Sequence, residues 1–299
     1  MRWIVKRENH AMMMLGDLAV DDRDHRLHQH YADYLLRDVS KAWRDLSAHV
    51  PVYAGWDDHD YLNNDLSGIP KRTGKAGRDA LRALWQENWV NPPTDVAGRG
   101  IYFSTSVGPV DIIMLDTRSC REQARRGQRG SFLGDEQMAW LKKTLKASTA
   151  RFILLSSGTM WSDYMSKAKD SWGTWDKKGR EEIYQLIEDE EIGGVILLSG
   201  DRHGARGFKI PRPSGYTFYE FEAGTLGGCR GPRAFAEDRS QQLFGYKGGT
   251  IAYGEFSFDF GKKDPTVTFR LIDQRGEALE EHALTRAQLT PGVQEVKEK

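Results

Sequence analysis

Short apolar runs recur along this chain, and several break off into a polar cluster able to hold metal. Ala11 to Leu15 runs into Gly16-Asp17, Pro51 to Trp56 into Asp57-Asp58-His59-Asp60, and Val195 to Ser199 into Gly200-Asp201-Arg202-His203. Near-continuous hydrophobicity marks strands buried on both faces, and ligand sites collect where such strands end. Ile101 to Ser106 and Val110 to Leu115, separated by Gly108-Pro109, predict a hairpin. Arg151 to Leu155 predicts another buried strand, and Tyr216 to Glu222, Tyr253 to Phe260 and Thr266 to Ile272 predict a strand-rich C-terminal part.

Between these runs the period changes. Tyr31, Tyr34, Leu35, Val39, Trp43 and Leu46 have helical spacing, which predicts a helix over Tyr31 to Leu46. A Gly-, Asn- and Lys-rich loop from Asn63 to Gly77 precedes a second helical pattern, Arg78 to Trp89. Asp135 is placed to cap a helix whose buried stripe is Met138, Leu141 and Leu145. Trp161, Trp172 and Trp175 fall in a predicted loop, and a helix from Lys178 to about Glu190 leads into the Val195 strand. Helices alternate with strands early and strands dominate late, which predicts a mixed sheet, or two sheets, covered by helices.

At 299 residues one large α/β domain is expected, here residues 1–290, with a disordered tail at 291–299. The 43 basic and 43 acidic residues cancel, so no polyanion-binding surface is indicated. Cys120 and Cys229 form neither a disulfide framework nor a zinc motif. No apolar stretch approaches the ~20 residues that span a bilayer, and no signal peptide is visible.

Some local signals fail on their chemistry. Gly68 and Gly74-Lys75 are separated by five residues rather than the four of a P-loop. His28 and His30 open a helix, where positions two apart do not face each other. Ser156-Ser157-Gly158 lacks the glycine of a nucleophile elbow.

The strand-end clusters are more specific. A glycine before Asp17 lets the chain turn sharply and aim the carboxylate into a shared cavity. Acidic residues straight after a hydrophobic strand are unfavourable unless cations or solvent compensate them, which makes Asp57 to Asp60, with Asn63, Asn64 and Asp65 behind, a metal-site candidate or an acidic surface turn. Asp201 and His203 project to one side of an extended segment and suit first-row divalent ions, or form a hydrogen-bonded pair. Arg118, at the end of the Val110 strand, suits bidentate phosphate contact or a buried ion pair, and Arg121, Arg125, Arg126 and Arg129 are either anion-attracting or a solvated loop.

Taken in order, Gly16-Asp17, Trp56 to Asp60 with Asn64-Asp65, Asp116-Thr117-Arg118, Leu133 to Gln137 with Trp140-Leu141, Ser156 to Gly158 and Ser199 to His203 resemble a known family. They look like the PhoD-like alkaline phosphatases/phosphodiesterases of the calcineurin-like metallophosphoesterase superfamily. The resemblance implies a four-layer α/β/β/α sandwich, here missing its first N-terminal strand or strands, with a dinuclear metal site of Fe/Ca or of Zn/Mn. It implies Asp17, Asp58, Asp201 and His203 as metal ligands, His59 and Arg118 as catalytic residues, and Arg118, Asn64 and Arg202 as substrate-binding. Two departures stand out: only fifteen residues precede Gly16, where the superfamily's first metal motif would lie and Glu8 and His10 are poor substitutes, and Val20 replaces an expected Tyr.

The expected activity is metal-dependent hydrolysis of a small phosphate ester, with metal-activated hydroxide attacking phosphorus. A phosphodiesterase acting on nucleic-acid or teichoic-acid-like polymers is the second reading. An N-terminally incomplete or inactive metal- or phosphate-binding relative is the third. The resemblance further suggests an exported, periplasmic or extracellular protein, whereas oligomeric state stays open.

Overall fold

The computed structural model describes residues 1–18, 26–61, 63–93, 100–165, 170–227, 231 and 234–293. Seven strands form the main sheet: β3 (Phe103–Val107), β4 (Val110–Met114), β5 (Phe152–Ser156), β6 (Val195–Leu198), β7 (Ala205–Pro211), β8 (Thr217–Ala223) and β9 (Gln242–Gly245). They run in the order β3-β4-β5-β6-β8-β7-β9, with β4, β5, β6 and β8 mutually parallel. The predicted hairpin is β3–β4, antiparallel, with Gly108 at φ 58 supplying the left-handed turn.

A strand alternates its side chains between faces, and the central strands use both faces as core. Ile113, Ile153, Leu155, Val195 and Leu197 point one way, onto Met138, Leu141 and Leu145 of α5 (Gly134–Ala147) and Ile183, Tyr184 and Ile187 of α6 (Trp172–Asp189). Ile112, Met114, Phe152, Leu154, Ile196 and Leu198 point the other way. There they meet Val267, Phe269 and Leu271 of β11 (Thr266–Asp273), which pairs antiparallel with β10 (Ala252–Asp259) and β12 (Ala278–Thr285).

The same layer holds a parallel pair, β1 (Met12–Met14) and β2 (Val52–Ala54). Met13 and Tyr53 face the main sheet, while Met12, Met14 and Ala54 face a helical layer. That outer layer comprises α1 (Arg2–Lys6), α2 (Leu27–Val39), α3 (Lys41–Ser47) and α4 (Gly74–Asn88), whose Tyr34, Trp43, Leu46, Leu81 and Trp85 are buried. The order helices, main sheet, second sheet, helices is the α/β/β/α sandwich expected from the sequence.

Several expectations change in detail. The predicted helix over Tyr31 to Leu46 is two helices, because Ser40 adopts an extended conformation (ψ 122) between them. On the first of them His30 and Tyr34 face inward, and Tyr31, Leu35 and Val39 are exposed. Asp135 is not a cap: Leu133 holds that position, and Asp135 pairs with Arg129 from the first turn. Trp172 and Trp175 lie on α6 rather than in a loop, since Ser171 accepts the Thr174 amide at 3.3 Å and starts the helix six residues early. At Asp176 (φ −152, ψ 67) the helix breaks, and that carboxylate accepts the Gly179 amide at 2.8 Å. The resumption at Lys178 is therefore the part visible as a separate helical pattern. Val20, Cys229 and residues 294–299 of the predicted tail lie outside the described residues.

Candidate metal centre

The C-terminal ends of parallel strands from both sheets converge, and glycines make the approach possible. At Gly16 (φ 115) a Cβ would overlap the Cβ of Asp57. At Gly200 it would stand 3.2 Å from the Gly158 carbonyl and 3.3 Å from that of Leu15, so the ends of β1, β5 and β6 meet backbone to backbone. A side chain at Gly16 would push the turn after β1 away from Asp57, and one at Gly200 would need its neighbours to give by a few tenths of an ångström.

Asp17, Asp58 and His59 each offer a donor atom, all within 4.8 Å of one another. Asp57, Asp58 and Asp201 form a second such group. His203 joins the first side, its Nε2 3.3 Å from Oδ2 of Asp17. Positions far apart in sequence thus come together, including the four singled out as ligands. The backbone at Asp17 (φ 55), Asp201 (φ 72) and His203 (φ 53) is left-handed, a conformation that costs a non-glycine residue about 1–3 kcal/mol and clusters at functional sites.

Asp60 and Asp116 hold this arrangement from behind. Asp60 accepts the Leu18 amide at 2.9 Å and the Asp57 amide at 3.0 Å, tying the turn after β1 to the turn after β2. Asp116 accepts Trp56 Nε1, the amides of Ile101 and Ser119, and the Ser119 hydroxyl. Gln137, from the Leu133 to Gln137 motif, brackets Asp116 by accepting its amide and donating to its carbonyl, both at 2.9 Å. Asp58 is aimed by the His59 amide at 3.0 Å and the Asp65 amide at 2.7 Å.

Arg118 is fully buried and sits inside the second group. Its Nε donates to Asp57, and its Nη2 lies 2.7 Å from Asp170, 3.6 Å from Asp201 and 3.8 Å from Asp58. Burial works against its charge, but Asp57, Asp170 and Asp58 prevail and raise its pKa further. Burial pushes the Asp57 carboxyl well up against the opposing pull of Arg118, with Asp201 and Asp58 adding repulsion. Asp201 is pushed up to about 6, chiefly by burial. For Asp170 the burial effect is outweighed by Arg121 and Arg118, which hold it below the usual carboxylate range. The structure thus places the Arg118 guanidinium in a buried ion-pair network, one of the two roles its position in the sequence allows, with Asp57 and Asp170 rather than Asp116 as partners.

Of the remaining predicted residues, Asn64 is exposed and donates to Asp65 at 3.0 Å. Arg202 is half-buried, and its Nε lacks a hydrogen-bond partner. The arginines of the basic loop are engaged within the chain. Arg121 is buried against Asp170, Arg125 pairs with Glu122, Arg129 with Asp135 and Glu182, and Arg126 stacks on Trp175. The sequence reading gave no role to Asp57 or Asp170. Asp57 lay inside a recognised run, whereas nothing local distinguishes Asp170, whose partners are 49 and 52 positions away and meet it only in the fold.

The donor set fits a cation. Asp17 Oδ1 and Asp57 Oδ2 are buried without a hydrogen-bond partner, which is unfavourable unless something positive meets them. Asp17, Asp57, Asp58, Asp170 and Asp201 also outnumber the guanidiniums of Arg118 and Arg121 that face them. Carboxylates and an imidazole gathered at strand ends, backed by two sheets, are the equipment of a metal-dependent hydrolase.

Comparison with known proteins gives that class a family. The profile of the PhoD-like phosphatases matches residues 10–279, and the chain belongs to that family. Alkaline phosphatase D of Bacillus subtilis (strain 168) is 26% identical over 218 residues, which cover 63% of this chain and 36% of the relative. The chain thus spans little more than a third of the length of that curated relative. A solved structure titled "Structure of PhoD" superposes with a TM-score of 0.66 at 17% identity, covering 93% of this chain and 67% of that one.

Proposed function

We propose that this chain hydrolyses a small phosphate ester at a metal centre built on Asp17 and Asp58, with His203 and Asp201 alongside and His59 next to it as the proton donor. The convergence of Asp17, Asp58 and His59 within 4.8 Å, next to a buried Asp17 oxygen without a partner, carries this reading. Asp17 and Asp58 would hold a cation there, which would supply Lewis-acid activation of the attacking water and neutralise charge on the phosphate. The amides of His59 and Asp65 keep Asp58 in position. His59 delivers a proton to the leaving oxygen.

Arg118 acts in this reading by balancing Asp57, Asp58 and Asp201, its Nε bonded to Asp57 and its Nη2 in ion-pair range of carboxylates without a hydrogen bond. Arg202, with an unpartnered buried Nε, is the guanidinium we assign to the substrate phosphate. The first cation belongs to the Asp17 side. A second, completing a dinuclear centre of Fe/Ca or Zn/Mn, would share Asp57, Asp58 and Asp201 with Arg118.

Metal analysis of purified protein, with turnover of para-nitrophenyl phosphate and its bis-ester, tests the proposal. Metal bound in wild type and lost in Asp17→Ala, together with monoester turnover lost in the same variant, is the expected result. Bound metal without hydrolysis of either ester would leave a metal-binding relative instead. Arg202→Ala is expected to raise KM more than it lowers kcat.

A further inference from the structure

We propose that Arg206 is a positioning residue for His203, holding the imidazole beside Asp17 by clamping the backbone on both sides of it. This rests on the reading that His203 serves a cation site. The Arg206 guanidinium is buried at the start of β7. Its Nε donates to the Gly204 carbonyl at 3.1 Å and its Nη2 to the Arg202 carbonyl at 3.0 Å, so one rigid planar group spans the residue between them. Left-handed backbone at Asp201 and His203 relaxes unless its surroundings fix it, and those two bonds are the fixture.

The surroundings are shaped for the clamp. At Gly204 a Cβ would stand 2.6 Å from Arg206 Nη2, so a larger residue would displace the fork. Glu222, equally buried on the adjacent strand β8, lies 3.2 Å from Nε and balances the charge. Nη1 rests 3.9 Å from the Met160 sulfur, which closes the far side. None of these groups is placed to touch substrate by the reading above. The chain of action is Glu222 to Arg206, Arg206 to the two carbonyls, and the carbonyls to His203.

The test uses the full chain with Mn2+ alone as the probe, titrated calorimetrically into metal-freed protein. Arg206→Lys keeps the charge opposite Glu222 but cannot reach both carbonyls. It is expected to weaken Mn2+ binding about 10–100-fold, the range found when a group supporting a metal ligand is removed. In a His203→Ala background the same substitution is expected to change nothing further, because its effect passes through His203. Unaltered affinity in Arg206→Lys, or equal losses in both backgrounds, would overturn the proposal. A metal-free readout separates this from the cation reading: histidine ring 1H–15N spectra should show the His203 signal shifted by Arg206→Lys and that of the exposed His49 unmoved. If wild type takes up no Mn2+, the cation reading fails and the ring spectra alone decide the clamp. If Arg206→Lys does not fold, Arg206→Met with Glu222→Gln removes both charges and is read the same way.

Discussion

The two sides of the carboxylate cluster use similar side chains and reach opposite electrostatic states. On one side Asp57, Asp170 and Asp201 surround the Arg118 guanidinium, and the charge is answered from within the chain. On the other, Asp17 leaves a buried oxygen without a hydrogen-bond partner, with Asp58, His59 and His203 gathered round it. The first side is largely neutralised from within the chain, although Asp57 Oδ2 there also lacks a hydrogen-bond partner, whereas the second gathers its donors as a receptor for something positive. Arg118 follows β4 in the main sheet and Asp17 follows β1 in the second sheet, while the turns after β2 and β6 supply donors to both sides.

Substitutions on the two sides should therefore fail in different ways. The largest effect is expected on the open side, where Asp17→Ala takes phosphatase activity to background and His59→Ala lowers kcat about 10²–10⁴-fold while urea midpoints stay near wild type. Equal loss of stability in these variants would erase the distinction. On the closed side Arg118→Met leaves Asp57 buried without its cation, while Asp170 keeps Arg121, and chemical denaturation should show a stability loss of about 3–5 kcal/mol. Survival of Arg118→Met at wild-type stability would show that this side, too, depends on an external cation.

A smaller effect separates pH from metal. Glu222 has its carboxyl raised from 4.5 to about 7, first by burial, against the opposing charge of Arg206. The folded state then binds a proton more tightly than the unfolded state, so this group's contribution is present below about 4.5 and is lost as pH rises to about 7. Urea midpoints of metal-free protein should fall across that window, with a shallower slope in Glu222→Gln. The smallest effect is expected far from the site, at the exposed Lys146–Glu190 pair on α5 and the end of α6: Lys146→Ala should change stability by less than about 1 kcal/mol, measured in the same denaturant series.

Much of this was legible in the chain. Runs such as Ile153 to Leu155 and Val195 to Leu198 are apolar at every position because both faces are core, and that pattern survives without any knowledge of neighbours. Polar clusters directly after such runs marked the site, since strand ends are where a sandwich exposes its backbone to a shared cavity. Local pattern failed where the fold chose between faces. The Tyr31, Leu35 and Val39 row has helical spacing yet faces outward on a helix that stops at Ser40, and Trp172 and Trp175 look like loop residues until Ser171 starts one.

The sequence by itself determined the alternation of strands and helices and which residues could bind a cation, because periodicity and donor chemistry are properties of short segments; the four-layer order came from its resemblance to a family. Only the tertiary structure decided which of those donors already have a partner. Arg118 reads equally well as a phosphate ligand or an ion pair until Asp57 and Asp170 are brought against it from elsewhere in the chain. Charges are assigned by distance in space, and the chain order carries no record of that distance.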